Sequence, residues 1–570
     1  MHFEGTLLKS DSESVAMSDE FAARLAQTRA SFFSRDPEIW PAFADPNFRE
    51  LLDFRFASHA PERRIDQYPK GSLRLEQLHR LDQIPQKSSE PKDGLDPLLQ
   101  FSAALSKDWE HPSSVENVIT MACDPGVYGS MLGTLANPNL VYQEYCGMAD
   151  ELEKAVVRQV ANLVGYDANR ATGIFTQGGT FCNMYGYLFG IRKSLPNSVK
   201  NGLDGGQDYR FINSQGGHYS NTTNLSVLGA NVAKKTLRIK LTDTNDIDIT
   251  DLERQMEACF RLGCVVPTIM LTMGTTDTFG VDQVKPVYEL RNRLCEKFEI
   301  ETPPHIHVDA AVGWPIIFFL NYDFGLNPLG INETTLKGLK THAERFAELK
   351  FADSFTVDFQ KWGYVPYTSS LLMVKDRDSM KALEHDPENF SYFEKDTQGQ
   401  THLQSTIECS RGAAGLFGAY TAMKYMGAEG YQTMIANGLQ NANYFRHQLQ
   451  QVPGSVLVAS RNHGPSVGFR LYDTRTVKDP LAEWQAECDY SNTPEWHQRI
   501  DRNTKFHREL FLRKGKQHLF TNWVQFIAHT RYDEREKFEA IPGEKAVFFN
   551  PRTDFSHIDG FINDLRERLG

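Results

Sequence analysis

The chain has 570 residues, of which 40% are hydrophobic and 24% charged, and its net charge is −12. This composition is typical of a globular protein with more than one domain, and the negative charge argues against a nucleic-acid or anionic-membrane surface. The longest apolar run, at residues 312–320, is too short to span a bilayer, and the N-terminal residues do not resemble a secretory signal. The eight Cys residues lack metal-ligand spacing, so we expect free thiols, no metal site and a cytoplasmic location.

The predicted elements divide the chain into three parts. Residues 1–110 are polar and helix-prone, and we expect an N-terminal helical extension that wraps around a dimer. From residue 111, short apolar strands alternate with helical segments. The clearest predicted strands lie within residues 171–179, 264–274, 305–311, 352–359 and 369–376. This alternation predicts a large α/β domain with a mainly parallel sheet over residues 111–375, followed by a small α+β domain over residues 376–570.

The segment TQGGT, at residues 176–180, lies between a predicted strand and a predicted helix. Adjacent Gly residues let backbone N–H groups approach an anion at a helix N-terminus, and Thr180 adds a hydroxyl. The segment is neither a P-loop nor a GxGxxG motif, so an ordinary strand-to-helix turn stays open beside a phosphate site. Further along, His218 lies in the Gly-rich segment GGHYS and is either structural or catalytic. The segment GTTDTFGVD, at residues 274–282, offers hydroxyls in a turn.

Two charged residues follow predicted strands later in the chain. Asp309 ends the apolar strand of HVDAA, where it could pair with a cation or cap a helix. Lys361 follows the next strand and is close in sequence to Trp362 and Tyr364. Burial among aromatic rings would lower the pKa of this Lys and free its amine as a nucleophile. The alternative is a solvated turn Lys without a chemical role.

Together these residues match the requirements of pyridoxal phosphate. The Lys amine would hold the cofactor aldehyde, the Asp would keep the pyridine nitrogen protonated, and the Gly-Thr turn would hold the phosphate. The motifs TQGGT, HYS, GTT, HVDAA and DSFTVDFQKWGYVP resemble those of the group II pyridoxal-phosphate-dependent amino-acid decarboxylases, which include glutamate, aromatic-amino-acid and bacterial tyrosine decarboxylases. The resemblance covers residues 110–570. It implies a type I, aspartate-aminotransferase-like fold and a homodimer with active sites at the interface.

The resemblance also implies roles for individual residues. Lys361 resembles the Schiff-base Lys, Asp309 resembles the pyridinium partner, and His218 matches the residue that stacks on the ring. Tyr392 falls where the family has a mobile-loop Tyr that protonates the carbanion. The cofactor-binding positions implied by the resemblance are Gly179, Thr180, His218, Thr276, Asp309, Ala311, Gln360 and Lys361.

Two positions depart from the usual family pattern. Gln360 stands where the family usually has a His, and a Gln can donate to a phosphate but cannot titrate. Lys545 stands where the family often has an Arg that binds the substrate carboxylate. A Lys there would present a point charge instead of a bidentate fork.

The resulting prediction is an L-amino-acid α-decarboxylase that releases carbon dioxide and a primary amine. We expect its substrate to be aromatic, such as tyrosine, or acidic, such as glutamate or aspartate. Two alternatives stay open: another carbon–carbon lyase of the same fold, similar to the sphingosine-phosphate lyases, and a degenerate homologue without catalytic activity. We expect a homodimer with no nucleic-acid or membrane partner.

Overall fold

The computed structural model describes residues 16–29, 84, 86, 109–141, 143–203, 206–384, 405–489, 491, 493–512, 519–531 and 538–569. The contacts within the chain divide it into two units. The smaller unit is Phe33–His111, and the larger unit consists of Met1–Phe32 and Pro112–Gly570. All the helices and strands described here belong to the larger unit. The three domain boundaries expected from the sequence stay a prediction.

A seven-stranded sheet forms the centre of the larger unit. Its strands are β1 (Thr172–Thr176), β2 (Phe211–Ser214), β3 (Thr236–Ile239), β4 (Thr268–Thr272), β5 (His305–Asp309), β6 (Ser354–Asp358) and β7 (Ser370–Val374). The spatial order is β1-β7-β6-β5-β4-β2-β3, and only β7 runs antiparallel to its neighbours. Strands β4 to β7 are buried along their whole length, as expected of a parallel sheet covered by helices on both faces. The predicted α/β fold class is confirmed.

Helices surround this sheet and continue towards the C-terminus. They are α1 (Asp19–Arg29), α2 (Asp124–Ala136), α3 (Ala149–Val164), α4 (Gly179–Ser194), α5 (Ser220–Val227), α6 (Ile249–Arg261), α7 (Val284–Lys297), α8 (Glu333–Phe346), α9 (Ala414–Gln450), α10 (Pro480–Cys488), α11 (Pro494–Leu512) and α12 (Phe555–Leu569). Shorter helical segments lie at Gln143–Cys146, Ser198–Asn201, Val232–Lys235, Trp314–Phe319, Ala347–Phe351 and Arg377–Leu383. Helix α3 buries Val156, Val160 and Val164, which are spaced four residues apart along one face of the helix.

A second, antiparallel sheet lies in the C-terminal part of the chain. Its strands are β8 (Ser455–Val458), β9 (Ser466–Leu471), β10 (Asn522–His529) and β11 (Ala540–Val547), in the order β10-β11-β9-β8. Its core joins β9 and β11 to α9 and α12 through a cluster that includes Phe445, Phe469 and Phe561. Strand β11 also carries Lys545, which lies opposite Gly468 of β9.

Helix α1 packs on the larger unit although it precedes most of the chain. Phe21 is fully buried, and Arg24 forms an ion pair with Glu429 of α9. The Arg29 guanidinium donates to the carbonyl oxygens of Pro551 and Thr553. Among the described residues, no helix has the length and apolar character needed to cross a membrane.

Candidate active site

The sheet brings the predicted site residues to one edge. Strand β1 has the same direction as β2, β4, β5 and β6, so the carboxyl ends of these five strands lie together. The segments that follow them contain every predicted site motif up to residue 361. In open α/β sheets this edge is where ligands bind, which makes it the candidate active site.

Lys361 is the cation at the centre of this edge. Its Nζ lies 3.0 Å from Oδ2 of Asp358, and its side chain is only 16% exposed. Burial acts to lower the pKa of Lys361, but the carboxylates of Asp358 and Asp309 outweigh it, and the pKa is above the ordinary value. Our expectation that burial lowers this pKa was therefore wrong for the free protein, because two carboxylates face the buried amine. Asp309 ends β5 and Lys361 follows β6, the parallel neighbour of β5, so the two residues lie at the same edge.

Asp309 is held by donors from a helix and from its own turn. Asn183 Nδ2 donates to Oδ2 at 2.7 Å, and the backbone N–H of Ala311 donates to Oδ1 at 3.1 Å. Asn183 is oriented in turn by Thr356, whose hydroxyl donates to Asn183 Oδ1 at 2.8 Å. Burial lowers the pKa of the adjacent His307 to about 3, so this His adds no charge near the carboxylate. Asp309 is a fixed, buried carboxylate that could bind a protonated ring nitrogen.

The predicted phosphate turn has a geometry that excludes larger side chains. Gly178 has φ 114°, which favours glycine, and helix α4 begins at the next residue. A Cβ at Gly179 would lie 2.8 Å from both carboxylate oxygens of Asp358, so only glycine fits without a shift. The carbonyl of Thr180 accepts from Asn224 of α5, which fixes the first turn. The helix N-terminus is therefore adjacent to the Lys361–Asp358 pair, as a phosphate site beside a cofactor Lys requires.

His218 lies in the same site and is neutral near pH 7. Its Nδ1 accepts from the backbone N–H of Ser220 at 3.2 Å, which leaves the proton on Nε2. Burial lowers its pKa, Lys361 acts in the same direction, and the carboxylates of Asp309, Asp358 and Asp277 oppose the shift. Thr276 follows β4, and its carbonyl accepts from the hydroxyl of Ser466 in the second sheet.

Gln360 and Lys545 both have partners within the chain. Gln360 Nε2 donates to the Ser370 hydroxyl at 2.8 Å, and its Oε1 accepts from the backbone N–H of Ser369 at 2.7 Å. Its amide therefore stabilises the turn after Lys361. A contact between this amide and a phosphate would require Gln360 to give up these hydrogen bonds. Lys545 Nζ forms an ion pair with Asp277. Tyr392, the predicted proton donor, lies outside the described residues.

One buried hydroxyl at this edge lacks a partner among the described residues. Thr272 ends β4, directly opposite Asp309 of β5, and its Oγ1 makes no hydrogen bond there. A Cβ at Gly217 would lie 3.7 Å from this hydroxyl, so the unused donor is next to the His218 segment. A buried hydroxyl without a partner is costly unless a ligand or water binds it. The amine, the carboxylate, the helix N-terminus and this hydroxyl together fit pyridoxal phosphate.

The comparison with protein families agrees with this fit. The model of the pyridoxal-dependent decarboxylase conserved domain matches residues 82–322 and 339–472, which is more than half of the chain. The chain belongs to this family. The protein is therefore a carboxy-lyase that uses pyridoxal phosphate in amino-acid metabolism.

Three curated relatives of this decarboxylase are less than a quarter identical to it over the aligned residues. An L-aspartate decarboxylase of Metarhizium robertsii is 24% identical, over 70% of this chain and 74% of the relative. An aspartate 1-decarboxylase of Aliivibrio fischeri is 22% identical, over 76% of this chain and 74% of the relative. An L-2,4-diaminobutyrate decarboxylase of Acinetobacter baumannii is 23% identical, over 56% of this chain and 59% of the relative.

Solved structures show the same fold. Mouse CSAD has a TM-score of 0.68 at 18% identity, with 92% of this chain and 98% of that chain covered. Oryza sativa TDC, solved with PLP and tryptamine, also has a TM-score of 0.68, at 16% identity, with 94% and 99% covered. These likenesses confirm the type I fold that the sequence motifs implied.

Three residues of the site were not predicted from the sequence. Asp358 is the direct partner of Lys361 and could have been noticed, because it ends β6 and precedes the Lys by three residues. Asn183 lies one turn into α4 from Gly179, and nothing in the sequence connects it to a carboxylate 126 residues away. Asp277 lies in the segment GTTDTFGVD, and its sequence context predicts no role because its partner Lys545 is 268 residues distant.

Proposed function

We propose that this decarboxylase removes the α-carboxyl group of an L-amino acid at the edge where Lys361, Asp309 and the N-terminus of α4 meet. The observation that supports the proposal most strongly is that Asp309 ends β5 and Lys361 follows β6, its parallel neighbour, so that the amine and the carboxylate meet at one edge of the sheet. When bound, pyridoxal phosphate supplies an electron sink for the carbanion that remains after carbon dioxide leaves. The protein's part is to hold the reactants, exclude water and deliver a proton.

We assign a separate task to each element of the edge. The amine of Lys361 would hold the cofactor at its aldehyde, and the Asp309 carboxylate would keep the ring nitrogen protonated. The backbone N–H groups of Gly179 and Thr180 bind the phosphate, with the hydroxyl of Thr276 as a further donor. The fixed positions of Asn183 and Ala311 support these assignments, since both residues donate to Asp309.

We assign the proton-transfer step to His218 or to Tyr392. His218 supports the assignment because burial lowers its pKa and it lies within the electrostatic reach of Lys361 and Asp309. In this assignment its imidazole would pack on one face of the cofactor ring and Ala311 on the other, as the family resemblance implies. The sequence match of Tyr392 supports a donor that arrives from a loop or from a partner subunit.

We further propose a cytoplasmic homodimer with the active site near its interface. Large aromatic side chains are exposed directly beside site residues, with Tyr219 77% and Tyr367 55% exposed. Leu132, Leu135 and Tyr425 are also exposed on α2 and α9, two helices that pack on each other. Exposed apolar side chains close to an active site are typical of a surface that a partner covers.

The sequence favours an aromatic or acidic amino acid as the substrate and leaves a basic one open. The names of the relatives include aspartate and 2,4-diaminobutyrate as substrates, so a useful assay includes amino acids with acidic and with basic side chains. The purified protein with pyridoxal phosphate should release carbon dioxide from at least one L-amino acid among tyrosine, tryptophan, glutamate, aspartate, 2,4-diaminobutyrate, ornithine and lysine.

The Lys361→Ala variant is the matched negative control. It should fold like the wild type and release no carbon dioxide above background. An aldehyde product without carbon dioxide would instead assign the protein to the other carbon–carbon lyases. The absence of any product from the wild type, with the cofactor bound, would indicate a non-catalytic homologue.

A further inference from the structure

The ion pair between Lys545 and Asp277 joins the second sheet to the candidate active site. Lys545 lies on β11, and Asp277 lies in the loop that follows β4. Nζ of the Lys and Oδ1 of the Asp are 2.5 Å apart. The Lys side chain is 4% exposed, whereas the Asp side chain is 34% exposed. The cation is therefore buried behind the carboxylate, and the carboxylate is the accessible partner.

The loop that carries Asp277 is fixed on both sides of this residue. Asn462 Nδ2 donates to the carbonyl oxygens of Thr278 and Phe279, at 2.5 and 2.7 Å. Ser466 donates to the carbonyl of the preceding residue, Thr276, at 3.1 Å. These three bonds come from the C-terminal part of the chain and hold the loop against it. The carboxylate is therefore held in place beside a residue that we assign to cofactor binding.

Asp277 also acts on the catalytic centre. The pKa of His218 is lowered by burial, and Asp277 is one of the carboxylates that oppose this shift. The charge of Asp277 thus reaches the imidazole that we place against the cofactor ring. A substrate bound at that ring would extend its side chain within the same field.

The charge balance of the site favours a cationic substrate side chain. Among the described residues, the carboxylates of Asp277, Asp309 and Asp358 all act on His218, and Lys361 and Lys545 pair with two of them. His218 is neutral near pH 7, and the phosphate of the cofactor adds more negative charge than its protonated ring nitrogen offsets. A second substrate carboxylate would enter a site with excess negative charge, whereas a side-chain ammonium would reduce that excess.

We propose that Asp277 is a specificity-determining residue that binds the side-chain ammonium of a basic L-amino acid. This substrate assignment rests on the proposed decarboxylase function. Oδ1 is occupied by Lys545, and Oδ2 accepts no hydrogen bond from the described residues, so Oδ2 is the oxygen that receives the substrate. Lys545 acts as a positioning residue that orients the carboxylate through their ion pair.

The test compares steady-state kinetics of the holoenzyme and its variants on 2,4-diaminobutyrate, ornithine, lysine, aspartate, glutamate and tyrosine. The wild type should have its highest kcat/KM on one of the three basic substrates. Asp277→Asn keeps the shape and removes the charge, so KM for that substrate should rise about 10- to 100-fold while its kcat changes little. The control Asp489→Asn removes an exposed carboxylate that pairs with Arg531 and should change neither value.

Because Asp277→Asn leaves Lys545 buried without its partner, the double variant Asp277→Asn/Lys545→Gln removes both charges together. It should show the same loss for the basic substrate. The proposal is overturned if the wild type prefers an acidic or aromatic substrate, or if the variants slow all substrates equally. A wild type that binds pyridoxal phosphate and releases no carbon dioxide from any of them refutes the proposed function instead.

Discussion

Replacing Asp358 by Asn changes the charge that faces Lys361 and little else. Asn has the same shape, and its side-chain oxygen can still accept from the Ser370 hydroxyl, which now donates to Oδ1 of Asp358 at 2.6 Å. The ion pair with Nζ of Lys361, at 3.0 Å, is lost. Since that carboxylate raises the pKa of Lys361, the variant should contain more uncharged amine at neutral pH.

The size of this effect follows from the burial of the pair. A hydrogen bond to a charged group contributes about 1.5–3 kcal/mol. At about 1.4 kcal/mol per factor of ten, the uncharged fraction of the amine should increase about 10- to 100-fold. Only the uncharged amine can attack the aldehyde of pyridoxal phosphate, so the rate of cofactor capture at neutral pH should rise by a similar factor.

Stopped-flow absorbance of cofactor-free protein mixed with pyridoxal phosphate measures this rate across a range of pH. For the wild type, capture should accelerate as the pH rises towards the pKa of Lys361, and in the variant the whole profile should move to lower pH. Asp378→Asn is the control, because Asp378 also precedes a Lys partner by three residues, at 2.9 Å, but on the exposed surface. A profile that stays in place in the Asp358 variant would refute the assigned electrostatics.

Two further predictions concern cofactor binding and stability. Gly179→Ala should raise the dissociation constant of pyridoxal phosphate about 10-fold or more, because its Cβ would lie 2.8 Å from the Asp358 oxygens. Absorbance titration measures this constant, and an unchanged value would contradict the phosphate site at the N-terminus of α4. Arg411→Met should lower the free energy of unfolding by about 3–5 kcal/mol, because it leaves the buried Glu153 carboxylate unpaired. Chemical denaturation followed by circular dichroism measures this free energy, and the Arg411→Met/Glu153→Leu double variant should regain part of the lost stability. A single variant as stable as the wild type would contradict this account.

The sequence was sufficient to predict the fold class and the edge of the sheet at which the candidate site residues meet. Short apolar strands alternate with helices, and a parallel sheet must bring the carboxyl ends of its strands to one edge. Residues that follow those strands, such as Asp309 and Lys361, are therefore neighbours in space although they are far apart in the chain. The Gly pair before α4 was predictable for a similar reason, since few other residues allow an anion to approach a helix N-terminus.

The electrostatic partners of these residues were not predictable from the sequence. Whether a buried Lys has a raised or a lowered pKa depends on which carboxylates face it, and here Asp358 and Asp309 decide the direction against burial. The same limitation applies to Lys545, whose sequence position predicts a free cation for a substrate carboxylate. Its pairing with Asp277 arises from contact between two distant parts of the chain, which no local pattern records.

The most direct measurement of the central claim is the covalent position of the cofactor. Borohydride reduction of the protein loaded with pyridoxal phosphate, followed by proteolysis and mass spectrometry, identifies the Lys to which the cofactor is attached. The account predicts a single modified residue, Lys361, and no modification in the Lys361→Ala variant. Attachment to another Lys, or equal labelling of the variant, would contradict the assignment of this edge of the sheet as the active site.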